Sequence, residues 1–198
     1  MTTEKSNKQK QQKIPGSVAI KNNVTILYKD SRGKYRSINR HNNTGYGILT
    51  LVSYAARGEF DGNLVPCYLG ATYKKTDAGG IDHEYSAFNQ YLHFDKAPRV
   101  FRSDKATESD SRLSDTVEYS FIIPAGTIIS SAPIQTLKLY NNYITNTPIG
   151  GIDNPADMDE LALCAELDLS DHNLNNSEVS NLKVYWRISF ADISQATE

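Results

Sequence analysis

In the segment Leu182–Phe190, Leu182, Val184, Trp186, Ile188 and Phe190 alternate with Lys183, Tyr185, Arg187 and Ser189. A helix would scatter those apolar side chains around its circumference, so the period of two predicts a strand. One face of such a strand meets a core and the other is partly wet, as in antiparallel sheets. Leu161–Leu169 repeats the alternation, with Leu161, Leu163, Ala165, Leu167 and Leu169 on one face and Ala162, Cys164, Glu166 and Asp168 on the other. Thr116–Ile123 aligns Val117, Tyr119, Phe121 and Ile123, and Thr136–Tyr140 aligns Leu137 and Leu139. These strands assign Leu163, Leu167, Val184, Trp186, Ile188 and Phe190 to the core.

Further elements precede them. Val18–Ile20, Val24–Tyr28 and Leu64–Thr72 read as extended, with Pro66 at a strand end or edge. The run Lys29–Lys34, containing Gly33, reads as a turn from which Tyr35–Ile38 returns as a hairpin arm. Ile48, Leu51, Val52 and Ala55 fall at i, i+3, i+4 and i+7, which predicts one helix with Thr44 as N-cap and Gly58 as its stop. Gly45 and Gly47 weaken its first turn. Lys74–Asn89 and Arg102–Asp115 read as long polar loops, and loops of that length usually make contacts. The fold class expected is mainly β: an antiparallel β-sandwich-like body with one short α-helix and an extended N-terminal arm. Residues 1–14 form the flexible basic arm and residues 15–198 a single domain.

Charge sharpens this outline. Residues 1–40 hold ten Lys/Arg and two acids, hence +8, and residues 41–198 hold eleven and 21, hence −10. The first thirteen residues carry Lys5, Lys8, Lys10 and Lys13 and almost nothing apolar. Such a segment buries too little surface to offset its ordering entropy. These lysines, with Arg102, Lys105 and Arg112 of the second polar loop, are the candidate interaction residues. Near-neutrality overall argues against a dedicated DNA-binding protein, and the arm lacks RNA-type stacking motifs. Nucleic acid is therefore not an expected partner; the acidic body of another copy suits the basic segment electrostatically. No apolar run reaches a membrane span, and Met1–Lys13 lacks the apolar core of a secretory signal.

No nucleophile elbow, P-loop or dinucleotide fingerprint is present. His41, His83, His93 and His172 show no zinc spacing. Asp82-His83-Glu84 reads as a solvated loop. Asp171–Asn175 imitates a calcium loop but lacks its Gly and closing Glu, and Asp153–Asp159 offers oxygens without a recognised spacing. Cys67 and Cys164 read as buried, inert thiols. Tyrosine is twice as frequent as phenylalanine, twelve against six, which favours half-buried contact surface.

Arg40–Thr50, Arg57–Asp61 and Leu64–Ala71, followed by Thr136–Tyr140, Leu161–Leu169 and Leu182–Phe190, together resemble small tailed-bacteriophage virion proteins of the tail-fibre, collar, baseplate or head-decoration type. Thr72–Thr76 departs from the Gly- and Thr-rich loop usual in that family. The resemblance implies a multivalent structural protein whose arm laces neighbours together. The expectation is a non-enzymatic virion component, assembled in the host cytoplasm, of the neck, tail or baseplate region. It needs no cofactor, metal or membrane, and its partners are other copies of itself and other virion proteins. The alternative is a carbohydrate- or host-surface-binding module in which Tyr140, Tyr143, Tyr185 or Trp186 stacks on a glycan. An enzyme would need His83, His93 and acids to converge on one pocket.

Overall fold

The computed structural model describes residues 18–30, 32–88, 90–101, 115–124, 126–129, 131–143, 162–172, 174 and 180–192. The arm with Lys5, Lys8, Lys10 and Lys13, the loop with Arg102, Lys105 and Arg112, and Asp153–Asp159 lie outside them. Among the described residues the fold is mainly β, with two antiparallel sheets and one α-helix.

The strands are β1 (Val18–Lys29), β2 (Tyr35–His41), β3 (Asn43–Thr44), β4 (Tyr68–Thr76), β5 (Asp82–Ser86), β6 (Leu92–His93), β7 (Lys96–Phe101), β8 (Thr116–Ile123), β9 (Ile134–Tyr140), β10 (Leu163–Asp168) and β11 (Ser180–Asp192). The first sheet runs β2-β1-β11-β8-β7 and the second β3-β10-β9-β4-β5, with β6 also on β4. The first and last strands are therefore neighbours, Val24 opposite Trp186. One apolar cluster draws on both sheets, with Val24, Ile26, Phe121, Val184 and Trp186 from the first and Leu69, Leu137, Leu139 and Leu167 from the second. Each central strand turns its apolar side inward, which makes the body sandwich-like.

Several sequence expectations are corrected. The two segments Val18–Ile20 and Val24–Tyr28 form one strand, β1. Residues 74–86 of the stretch expected as a loop are no loop: the end of β4 and the whole of β5 form a hairpin around Asp77, whose Oδ1 accepts from the backbone N–H groups of Gly79 and Ile81. Leu163 is only half-buried, because a bulge between Leu163 and Ala165 shifts the register against β9 and turns Cys164 inward. Leu167, Val184, Trp186 and Ile188 are fully buried, and Phe190 packs partly buried against the same cluster.

The helix α1 spans Tyr46–Ala56. Its N-cap is Gly45, without a side-chain cap, because Thr44 is held in β3 and its Oγ1 accepts from Asn22 Nδ2 at 2.6 Å. At the other end Glu59 N–H donates to the Tyr54 carbonyl and Gly58 N–H to that of Ala55. With Gly58 at φ +73°, this is a Schellman stop. Only the first half of the predicted apolar face is covered: Ile48 is buried, Leu51 and Val52 are half-buried and Ala55 is exposed.

Candidate functional site

Strand alternation sorts the charged residues onto two outer faces. On the first sheet the outward positions are Lys21, Thr25 and Lys29 of β1, Lys183, Tyr185 and Arg187 of β11, Glu118 and Ser120 of β8, and Lys96 and Arg99 of β7. All six cations among them are exposed. Among the described residues Glu118 and, at the rim, Asp95 stand against them, which leaves the face with a net +4. Glu118 is almost fully buried beneath its neighbours. Its carboxylate accepts from Arg187 Nε at 2.6 Å and lies 3.8 Å from Arg99 Nη1. Both guanidinium groups also sit over the Phe101 ring, 4.9 Å away for Arg99 and 5.4 Å for Arg187. Glu118 thereby fixes two arginines whose outer edges stay wet. Beside them a groove of about 150 Å³ is lined by Lys96, Arg99, Lys183 and Tyr185.

The outer face of the second sheet has the opposite sign: Asp82, Glu84, Glu166 and Asp168 against Lys74 and Lys138. Lys138 is buried, with Nζ 3.2 Å from Glu84 and 3.8 Å from Glu166. Glu84 also accepts from the hydroxyls of Thr72 and Thr136. Burial pushes the Glu84 carboxyl up, but the Thr72 hydrogen bond and the Lys138 charge outweigh it and leave the group below its ordinary 4.5. Tyr140 and Tyr91 close over this cluster edge to face, 5.2 Å apart. Both rings can approach the backbone there because position 70 is glycine; a Cβ would stand 2.8 Å from the Tyr140 ring and 3.1 Å from that of Tyr91.

This arrangement predicts an acid-sensitive pair. Glu84 titrates lower folded than unfolded, so its contribution is complete above its ordinary pKa and is lost as pH falls through the folded one. Lys138→Met should cost about 2 kcal/mol at neutral pH, and the gap from wild type should close as Glu84 protonates. Urea titrations across the acid range check this; a pH-independent gap would contradict it.

A third polar region, a cleft of about 400 Å³, lies where the chain crosses between sheets. It is lined by Arg40, Asn42, Asn43, Glu166, Asp168 and Asp171, and Arg40 pairs with Asp171 across it. It carries no metal cluster: among the described residues no group of three or more His, Cys, Asp or Glu is placed to hold a metal ion. His83 and His93 pair with β4 at Lys75 and Tyr68, seven positions or about 23 Å apart along that strand. They do not converge. Burial pushes the Cys67 thiol up to about 11 and the Cys164 thiol higher still, away from thiolate chemistry.

No family model, curated protein or solved structure matches this chain.

The residues of the glycan reading are mostly engaged. Trp186 and Tyr140 are buried, and the Tyr143 hydroxyl donates to Asp61 at 2.5 Å. Tyr143 and Tyr185 are both half-exposed, and Tyr185 lies in the cationic groove. The sequence signalled none of the charged faces as such, since their residues come from strands far apart in the chain. No described helix is long and apolar enough to cross a membrane.

Proposed function

We propose that this chain is a non-enzymatic structural subunit of a bacteriophage virion, assembling with copies of itself and with other virion proteins. The observation that carries the reading is the apolar surface left on the helical flank. Tyr46 and Leu49 lie one turn apart on α1 and are 62% and 48% exposed, and Phe60, after the helix, is 81% exposed. The opposite side of α1 seats Ile48 in the core, so the outward side chains are not an unfinished fold. Large apolar groups held out by a rigid helix suit a neighbouring subunit. The sequence resemblance supplies the virion context. Tail, neck or baseplate is the proposed location.

The triple variant Tyr46→Ser, Leu49→Ser, Phe60→Ser tests the flank. Its melting temperature should stay near wild type, because none of the three is buried, while self-association in sedimentation velocity should be lost. Assembly unchanged in the triple variant would remove the flank from the interface.

A further inference from the structure

We propose that the outer face of the first sheet binds the phosphate backbone of single-stranded nucleic acid. Its cations come from β1, β11 and β7, which the sheet order brings into one surface. From Lys21 to Lys29 it runs about 27 Å along the strands, and five strands make it about 19 Å wide. Lys21, Lys96 and Lys183 make no ion pair with any described residue. Lys29 lies 4.8 Å over the exposed Tyr35 ring. Among the described residues no carboxylate pairs with these four lysines, and Glu118 holds Arg99 and Arg187 in fixed positions between them. Tyr185 adds a half-exposed ring within the groove among the cations. Cations tracking a backbone, with an aromatic platform for a base, are the elements of sequence-independent single-strand binding.

The near-neutral whole hides this surface, because among the described residues Asp82, Glu84, Glu166 and Asp168 gather on the other sheet. A second copy's acidic sheet face is the competing occupant and fits less well. Among its described residues it carries only −2, and two of the four carboxylates already neutralise Lys138. A ligand with one charge per residue matches +4 better. The inference stands apart from the virion reading, since it uses only the charge and shape of this face.

Fluorescence anisotropy with a labelled mixed-sequence DNA oligonucleotide tests it, using the full chain over a salt series. Four lysine–phosphate contacts give a slope of about −3 for log K against log salt, from roughly −0.7 per contact on single strands. Lys96→Glu with Lys183→Glu should weaken binding at least tenfold and roughly halve the slope. Lys96→Gln with Lys183→Gln, milder for folding, should shift both in the same direction. Lys74→Glu, on the opposite sheet, should change neither. Wild-type affinity in both double variants would overturn the proposal, as would binding lost only when Lys5, Lys8, Lys10 and Lys13 are replaced. Loss of self-association in the double variants with oligonucleotide affinity intact would also overturn it, and would assign the face to another copy.

Discussion

Trp186→Ala should lower stability by roughly 3–5 kcal/mol, the range for emptying a large aromatic site in a packed core. Trp186 is the largest fully buried side chain and sits on β11, the strand flanked by both β1 and β8. Its backbone neighbours across the sheet are Val24 and Tyr119, themselves buried, so the cavity has little freedom to collapse. At this chain length the loss amounts to a fall of about 6–20 °C in melting temperature. Trp186→Phe should cost much less. The indole Nε1–H is buried without an acceptor among the described residues, and phenylalanine removes that unsatisfied donor while keeping most of the packing. Chemical denaturation of the two variants checks the pair. Equal losses would mean that the phenylalanine ring recovers none of the packing around position 186.

Gly45→Ala should cost about 3 kcal/mol, at the upper end for overpacking. A Cβ at position 45 would stand 2.3 Å from the Leu163 carbonyl oxygen and 2.9 Å from its carbon. Both are backbone atoms of β10 and cannot swing aside. The close approach is fixed by Gly45 N–H donating to the Cys164 carbonyl at 2.8 Å. Gly45 has an ordinary extended φ of −89°, so the cost comes from contact rather than from backbone conformation. Gly58→Ala is the contrast: nothing crowds its Cβ, and only the strain of φ +73° opposes it. Thermal melts should rank Gly45→Ala well below Gly58→Ala. The reverse order would contradict the docking of α1 on β10.

These two residues show what the sequence reveals and what it conceals. Trp186 was legible because β11 is covered on one face and wet on the other, which writes a clean period of two. The same holds for β8, whose bounds Thr116–Ile123 follow directly from the alternation. Gly45 reads as a weak helix start, because its partner, the Leu163 carbonyl, lies more than a hundred residues away. β5 was hidden for another reason. It is an edge strand with polar residues on both faces, so its alternation carries no hydrophobic signal. In β10 the bulge at Cys164 inverts the pattern midway, which the run of small apolar residues conceals. The charge asymmetry between residues 1–40 and the remainder was visible. Its consequence was not, since the cationic face combines Lys21 and Lys29 with Lys96, Arg99, Lys183 and Arg187. Only the pairing of the first strand with the last places them together.

The proposed virion role requires this chain to be present in particles in several copies. The most direct measurement is quantitative mass spectrometry of gradient-purified phage particles from cells producing the protein. Its peptides should appear in the particle fraction at a fixed ratio of several copies per particle, resistant to high-salt washing. A chain abundant in the lysate but absent from the particles would contradict it.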